Sequence, residues 1–530
     1  MTTRFLLRPV RLLALLVLAF NGAAAWPQNV VNNGTPVGTS LPALGDNFDI
    51  TSAGERRIGD RIASSIFRDP DYLDDPVLTD YVQSIWQPLM TAARARGELG
   101  PELDERFAWQ LFLLRDRSIN AFALPGGYFG VHLGLVGVVS SRDELAAVLG
   151  HELSHVTQRH IARLMTQQSK QAPWLMAAMV LGALAASKSP NAASAAIVGG
   201  QALAVQNQLN FSRDMEREAD RVGFGVMLDA GFDGRGVAAM FEKLQQASRL
   251  NDNGAFPYLR SHPLNTQRIA EAQSRTQLTA ASAAPAAGSA AQEAAQTRSL
   301  HAMMAARARL LAAPGVDQQR TLVEQAQIQS RATSPPAAAD AASAGVLYAG
   351  ALAAAQLRDF AQARSLLAAL TARVSDQPQA KKAGELLTIE IDLMEGRVPA
   401  ASRLDITQVK TRAELLVVGR ALLAAQRPRD VASRLQTWVA ERPKDAAAWQ
   451  LLAAAYTAQG QTVRAVRADA ESRFAELDYP AALDRFKAAQ GLMRSSPGAA
   501  DYMEGSIIDT RTRQTETLIR EQALQDKIDR

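Results

Sequence analysis

The motif GHELSHVTQRH at residues 150–160 most constrains the fold of this chain, because it places two histidines four residues apart. Residues at this spacing lie on one face of an α-helix, so a helix would let His151 and His155 bind the same metal ion. Glu152 is rotated by about 100° from His151, which puts it beside the ion. Zinc lowers the pKa of bound water to about 7, and Glu152 can accept a proton from that water. The motif therefore predicts a zinc hydrolase, the alternative being polar residues on an ordinary helix.

The residues before the motif contain the start of its helix. Ser141 with Glu144 forms a capping-box pattern, in which two side chains bind free backbone amides of the first turn. The pattern predicts a helix from near Arg142 to about Met165, with the motif in its middle.

A zinc site needs a further protein ligand, and the chain has six histidines and no cysteine. His160 lies about 140° around the helix from His155, so we expect a polar surface or interhelical residue there. His132, in an apolar strand, and His301, in the C-terminal part, are expected to be structural. A carboxylate is therefore the expected third ligand.

The segment SRDMEREADRVGFG at 212–225 supplies such a carboxylate. Glu216 and Asp220 share one face of a predicted helix, where Glu216 can bind zinc and Asp220 can hydrogen-bond a ligand histidine and support catalysis. Glu218 is rotated by about 200° and is expected to be solvated. Two small residues on the shared face would let this helix approach the histidine helix closely, Ala219 and Gly223. The alternative for Glu216 is a surface charge on an amphipathic helix.

The remaining coarse pattern predicts an α+β fold that is mostly α. Alternating and apolar runs predict strands at 107–114 and within 119–136, the latter interrupted by a Pro-Gly-Gly turn at 125–127. Helical periodicity covers three further segments, 52–95, 210–230 and 234–248. The apolar stretch 173–205 is broken by charge and proline, so neither half spans a membrane. It is expected either to cover the cleft or touch a membrane, or to form a buried core hairpin.

The first 25 residues have a basic start, an apolar run and a terminal Ala-Ala-Ala, which predicts a secretory signal peptide. The alternative is a buried N-terminal helix. Removing the segment takes away three arginines, so the formal net charge of +4 becomes +1. This balance gives no indication of nucleic-acid binding. Export without cysteine favours the periplasm. A position at the periphery of the outer membrane is also expected.

The C-terminal part is rich in alanine and leucine, and a short signature recurs in it. Phe360, Val398, Val431 and Tyr479 occupy equivalent positions at spacings of 38, 33 and 48 residues. These spacings are near the 34-residue period of tetratricopeptide (TPR) repeats, although a non-repeating helical bundle is the alternative. We predict five regions: a signal peptide (1–25), a metallopeptidase domain (26–275), an Ala-rich linker (276–298), TPR-like helical repeats (299–490) and a C-terminal helix or tail (491–530).

The HExxH motif followed by ExxAD resembles the glutamate-ligand zinc metallopeptidases related to the heat-shock and CaaX-prenyl membrane proteases. The resemblance spans roughly residues 50–270 and includes NAFALPGG at 120–127 and SHPLNTQRI at 261–269. It implies a gluzincin-like domain, followed here by the α-helical TPR-like solenoid, and an endopeptidase with one zinc ion per chain. It also implies that His262 is a removable fourth ligand that keeps the site closed, the alternative being a turn residue before Pro263.

Metallopeptidases commonly bind substrate as an added strand beside the active-site helix. This mode gives a role to Asn120, Ala121, Phe122 and Ala123, the alternative being an ordinary hairpin strand. Taken with the predicted export and repeats, the resemblance implies a quality-control protease. Its expected partners are unfolded or stalled outer-membrane proteins and, through the repeats, the machinery that assembles outer-membrane barrels. The competing readings are a chaperone-like scaffold with latent protease activity and a purely structural metal site, which would not need Glu152.

Overall fold

The computed structural model describes residues 50–168, 213–250, 257–282, 288–312, 314–331, 337–398, 405–495 and 502–528. All of these belong to one compact unit. The predicted signal peptide and the whole apolar stretch 173–205 lie outside the described residues. Among the described helices, none has the length and apolar character needed to cross a bilayer.

A small sheet and three helices form the N-terminal part of this unit. The helices are α1 (Ser52–Phe67), α2 (Pro76–Ala95) and α3 (Pro101–Arg106), and the strands are β1 (Tyr72–Leu73), β2 (Gln110–Leu114), β3 (Ala121–Leu124) and β4 (Tyr128–His132). The strand order is β1-β2-β4-β3, with β2 and β4 parallel and the other pairs antiparallel. Consequently β3 is an edge strand.

The predicted turn is confirmed, and strands form on both sides of it. Residues 133–136, predicted as part of the second strand, instead belong to helix α4 (Leu133–Val138), because pairing with β2 ends at His132. Gly126 and Gly127 have φ values of 75° and 79°, a conformation that glycine adopts without a steric penalty. The strand predicted at 107–114 begins only at Gln110, because Trp109 has a φ of 50° and leaves the extended conformation.

The second group of helices carries the predicted site. These helices are α4 (Leu133–Val138), α5 (Arg142–Thr157), α6 (His160–Gln168), α7 (Arg213–Asp229), α8 (Arg235–Leu250), α9 (Pro257–Ser261) and α10 (Thr266–Ser282). Ser141 caps α5 as predicted, since its hydroxyl accepts a hydrogen bond from the Glu144 amide.

The prediction of one helix from Arg142 to Met165 is wrong. Helix α5 ends at Thr157, and α6 begins at His160 in a new direction because Arg159 has a φ of 54°. The Arg159 guanidinium holds this conformation by binding the buried carboxylate of Glu55 in α1.

Helices α5 and α7 pack closely through glycines, as the small residues of the sequence indicated. A Cβ atom added at Gly223 would lie 2.9 Å from the Gly150 carbonyl and 3.0 Å from the His151 nitrogen. Only hydrogen at these positions lets the two backbones approach so closely. The close approach brings the acidic residues of α7 to the histidines of α5.

The C-terminal part consists of successive helices, each packed on a neighbour in the chain or one helix removed. They are α11 (Gly288–Leu311), α12 (Val316–Arg331), α13 (Ala337–Gln356), α14 (Phe360–Arg373), α15 (Pro378–Glu395), α16 (Arg412–Ala424), α17 (Pro428–Glu441), α18 (Ala446–Thr457), α19 (Thr462–Ala475), α20 (Tyr479–Ser495) and α21 (Tyr502–Ile528). The fold class, mostly α with a small sheet, is confirmed, while the TPR-like nature of these helices stays a prediction.

The predicted linker is helical where the structure describes it. Residues 276–282 belong to α10 and residues 288–298 belong to α11, so the predicted boundary at residue 298 falls inside a helix. Alanine has the highest helix propensity, which explains why this composition forms a helical spacer where it is described.

Buried polar contacts attach the C-terminal helices to the residues around α2 and α4. The Arg307 guanidinium of α11 makes two hydrogen bonds with Asp75, at 2.8 and 2.6 Å, and also binds Glu390 of α15. The His301 ring contacts the Tyr81 hydroxyl at 2.5 Å and the Val139 carbonyl at 2.9 Å. His301 therefore lies where α11 packs against α2 and α4, which agrees with its predicted structural role.

Candidate metal centre

Four buried side chains offer ligand atoms that all lie within 4.8 Å of one another: His151, His155, Glu216 and His262. The first two come from α5, Glu216 comes from α7, and His262 directly follows α9. The structure therefore brings together the three predicted ligands and the predicted fourth ligand.

The spacing of these atoms fits a four-coordinate divalent ion. The Nε2 atoms of His151 and His155 are 3.0 Å apart, and Nε2 of His151 is 3.3 Å from Nδ1 of His262. Glu216 Oε1 lies 3.0 Å from Nδ1 of His262 and 3.5 Å from Nε2 of His155. Ligand atoms about 2.0–2.1 Å from a tetrahedral ion are about 3.3 Å apart, so three nitrogens and one oxygen are suitably placed.

Glu152 lies beside this set with its carboxylate buried, 1% exposed. Its Oε1 is 3.4 Å from Nε2 of His262, and neither oxygen makes a standard hydrogen bond among the described residues. Burial raises the pKa of Glu152, although the neighbouring histidines and the backbone amide of Ala123 act in the opposite direction. A raised pKa makes a carboxylate a stronger base, which suits it to accepting a proton.

Asp220 supports His151 from the side opposite the ligand atom. Its Oδ1 lies 3.0 Å from Nδ1 of His151, as the sequence predicted for a residue that orients a ligand histidine. Arg268 binds Asp220 through two hydrogen bonds, at 2.6 and 2.8 Å, and approaches Glu216 Oε2 to 2.8 Å. Burial would raise the pKa of Asp220, but the bonds from Arg268 and His151 lower it.

His160 supports His155 in a comparable way, which the sequence analysis did not predict. The His160 ring is buried, with Nδ1 2.9 Å from Nδ1 of His155 and Nε2 2.9 Å from Glu218 Oε2. The angle of about 140° from His155 does not apply, because the helix breaks at Arg159. Of the two expectations for His160, the surface position is wrong, whereas the interhelical position agrees with its contacts to His155 and Glu218. The expectation that Glu218 is solvated holds only in part, since its side chain is 31% exposed and also binds His160 and Arg163.

The pKa values of the two histidines of α5 are shifted in opposite directions. Burial would lower the pKa of His151, but its hydrogen bonds with Asp220 and Glu216 raise that pKa to about 10. The pKa of His155 is held well below its usual value by burial first and then by electrostatic interactions with His151 and His262. The pKa of Glu216 stays well below its usual range despite burial, because His262 and His151 favour the carboxylate.

The predicted substrate strand lies next to α5, at an edge of the sheet that no other described strand pairs with, called the free edge below. Asn120 directly precedes β3, and its carbonyl accepts a hydrogen bond from the His132 amide of β4. Because backbone groups in an antiparallel strand alternate in direction, those of Ala121 and Ala123 face the free edge. Phe122 pairs with Gly130 of β4 between them.

Three residues near the site escaped the sequence analysis or received only a general role there. Arg268 reaches the site because Asn265 caps α10 and turns that helix back toward α7. The Tyr258 ring stacks on His262 with centroids 4.8 Å apart. His132, expected to be structural, is buried with Nδ1 2.8 Å from the Ser118 hydroxyl. The sequence indicated Arg268 only as part of the segment SHPLNTQRI. It did not indicate that Arg268 pairs with Asp220 of α7.

Comparison with known proteins places the site within a matched region. Residues 76–276 match the sequence profile of Peptidase family M48. The chain is 34% identical over 269 residues to the putative beta-barrel assembly-enhancing protease of Vibrio cholerae, covering 50% of this chain and 52% of that relative. It is 29% identical over 444 residues to the beta-barrel assembly-enhancing protease of Yersinia pestis, covering 82% of this chain and 84% of that relative.

A mitochondrial relative is also similar over the peptidase part. The chain is 32% identical over 164 residues to the mitochondrial metalloendopeptidase OMA1 of Arabidopsis thaliana, which covers 31% of each chain. The chain spans about half the length of the Vibrio cholerae relative and of the Escherichia coli beta-barrel assembly-enhancing protease.

Proposed function

We propose that this chain is a zinc-dependent endopeptidase, because residues 76–276 match the sequence profile of Peptidase family M48. The observation that carries the proposal is the convergence of His151, His155 and Glu216 beside the buried carboxyl group of Glu152. Three protein ligands and an adjacent carboxyl group are the parts that a zinc peptidase needs.

The ligand set in this proposal is Nε2 of His151, Nε2 of His155 and a carboxylate oxygen of Glu216. Zinc bound there supplies Lewis acidity toward a water molecule and the scissile carbonyl. Glu152 accepts a proton from the attacking water and donates it to the leaving amine, a role that its burial and raised pKa support. Asp220 keeps the His151 ring oriented through Nδ1.

Substrate binding is proposed at the free edge of β3. The outward backbone groups of Ala121 and Ala123 can pair with an extended peptide, and this pairing places little demand on the peptide's side chains. Unfolded proteins are therefore the proposed substrate class. Ala123 is also close enough to affect the pKa of Glu152, so a peptide on this edge would lie next to the proposed proton acceptor.

His262 is proposed to be a fourth ligand that closes the site. Its Nδ1 lies with the other ligand atoms, and its Nε2 faces Glu152 at 3.4 Å. A site with four protein ligands has no position for water, so cleavage requires the ring to move away. We expect His262→Ala to raise the rate at which unfolded casein is cleaved. Unchanged cleavage together with unchanged zinc affinity would rule out the closing role.

The substitution Glu152→Gln tests the peptidase proposal directly. It keeps the shape of the side chain but removes the proton acceptor, so casein cleavage is expected to fall by about 10²–10⁴-fold while zinc is still bound. Glu105→Gln is the matched control, because Glu105 is an exposed carboxylate on α3 and its loss should leave cleavage unchanged. A fully active Glu152→Gln variant would refute the proposal.

The proposed setting is the bacterial periplasm, and the proposed substrates are unfolded or stalled outer-membrane proteins. The printed names of the bacterial relatives support this setting, as does the predicted signal peptide. The C-terminal helices are proposed to bind the barrel assembly machinery, since stacked helical repeats offer extended binding surfaces. Crosslinking from the C-terminal helices in intact cells, followed by identification of the captured proteins, tests this part separately.

A scaffold with latent protease activity is the second candidate function. The position of His262 among the ligand atoms favours it, because a closed site would not cleave until triggered. In cells that lack the protein, full rescue of barrel assembly by Glu152→Gln would support the scaffold. Loss of rescue by the same variant would support proteolysis as the main activity.

A further inference from the structure

Helix α7 places three acidic side chains around the two ligand histidines, and only two of these have roles in the proposed function. Glu216 faces the ligand set and Asp220 contacts His151. The third, Glu218, reaches His155 only through the buried ring of His160. A chain of contacts therefore runs from a partly exposed carboxylate to a proposed metal ligand.

Hydrogen-bond directions allow one arrangement of protons along this chain of contacts. If His155 binds the ion through Nε2, its single ring proton is on Nδ1, and that atom donates to Nδ1 of His160. His160 must then accept at Nδ1 and carry its own proton on Nε2, which donates to the carboxylate of Glu218. All three contacts are satisfied when His160 is neutral and in this tautomer.

The break between α5 and α6 at Arg159 makes these contacts possible. In a continuous helix His160 would point about 140° away from His155. Arg159, with a φ of 54°, turns the chain so that the His160 ring returns to His155. Such a backbone conformation is uncommon for a residue other than glycine and is held here by the carboxylate of Glu55 and the carbonyl of Ile50.

We propose that His160 is a positioning residue that fixes the ring orientation and tautomer of His155, with Glu218 as the carboxylate that fixes His160. The pair does for His155 what Asp220 does for His151, with one additional ring between carboxylate and ligand. Outer partners of this kind raise the affinity of a ligand histidine for its metal by orienting it. The inference rests on the proposed metal site, so its test must separate the two.

The test compares two variants of His160 in the full chain. His160→Phe keeps a ring of similar size but removes the acceptor, and we expect zinc affinity, measured by competition with a chromogenic chelator, to fall about tenfold. His160→Asn keeps an acceptor near the position of Nδ1 and should recover most of this loss. Cobalt(II) is the second probe: its visible absorption should change for His160→Phe and stay close to the parent's for His160→Asn.

Four outcomes decide the matter. Rescue by asparagine supports the proposal, because packing alone would not distinguish an acceptor from an apolar ring. Equal zinc affinity in the parent and His160→Phe overturns it, as does an equal loss in both variants. Should His160→Phe fail to fold, Glu218→Ala replaces it, since that side chain is partly exposed and a several-fold loss of zinc affinity is expected. A parent chain that binds no zinc would refute the proposed function itself.

Discussion

His151 and His155 stand one helical turn apart with the same proposed role, yet their surroundings differ. His151 contacts a buried carboxylate directly, and that carboxylate is held by the buried Arg268. His155 contacts a neutral ring, and the carboxylate behind it is partly exposed. The comparison shows that two histidines of the same motif can have different electrostatic surroundings, because each one contacts a partner from a different part of the chain.

The largest expected effect comes from removing the direct partner. Asp220→Ala leaves the His151 ring unoriented and the Arg268 charge buried without its main partner. Zinc affinity should fall by up to about 100-fold, and the metal-free protein should lose about 3–5 kcal/mol of unfolding free energy. Chelator competition and urea denaturation measure the two quantities.

The pair formed by Arg94 and Asp104 offers a matched control for Asp220→Ala. It is also a two-bond pair between arginine and aspartate, but it lies at the surface. Asp104→Ala should therefore change the unfolding free energy by less than about 1 kcal/mol. Equal losses of unfolding free energy in the two variants would mean that burial does not strengthen the contribution of the Asp220 pair to stability.

The second effect concerns protons released when zinc binds. With its pKa raised to about 10, His151 in the metal-free protein is protonated at neutral pH, whereas His155 is not. Binding must release the His151 proton, so zinc affinity should rise about tenfold per pH unit from pH 6.5 to 8. Calorimetry in two buffers of different ionisation enthalpy counts the protons. Asp220→Asn should flatten this dependence, and a flat profile in the parent would contradict the assigned difference between the histidines.

The same difference predicts how the stability of the metal-free protein depends on pH. A pKa raised in the folded state contributes stability that is complete below the unfolded value near 6.5. This contribution declines as the pH rises from 6.5 towards 10. Urea denaturation of the metal-free parent and of Asp220→Asn at several pH values in this window measures the decline, which should be smaller in the variant.

A smaller effect is expected from moving α5 and α7 apart. The contacts of both His151 and His155 with their partners depend on the packing of these two helices. In Gly223→Ala the new methyl group would meet the Gly150 backbone at 2.9 Å, so α5 and α7 must move apart. We expect a loss of about 1–3 kcal/mol of unfolding free energy together with weaker zinc binding. Gly491→Ala in α20 is the control, because nothing lies within 4 Å of its added methyl group. A control that loses as much stability as Gly223→Ala would remove the packing argument.

The smallest effect is expected at the outer end of the His155 support. Arg163 binds Glu218 from a side chain that is 49% exposed, so solvent screens the interaction. Arg163→Ala should change zinc affinity by no more than about twofold. A loss as large as that of Asp220→Ala, measured by the same chelator competition, would erase the distinction between the two supports.

The parts of the site that follow from local spacing were accessible from the sequence. Helix geometry, which neighbouring residues determine, places His151 and His155 on one face of α5. It also places the small residues of α7 on the face that meets α5. The hairpin of β3 and β4 was also recognisable, because its glycines have φ values that few other residues adopt.

The parts that depend on distant residues were not accessible. Nothing local indicates that Arg159 takes a left-handed conformation, since its partner Glu55 lies 104 residues away. Without that break, His160 could only be placed by the rules of a continuous helix, and the resulting position was wrong. Arg268 likewise acts through Asp220, 48 residues away, in a pairing set by the packing of α10 near α7.

One feature of α7 determines how the centre responds to movement. Glu216, Glu218 and Asp220 are fixed to the same rigid backbone, so none can shift without the others. A displacement of that helix by about one ångström would loosen the coordinating oxygen and both histidine supports together. Metal retention should therefore be lost in a single step as denaturant is added, with no intermediate of reduced zinc affinity.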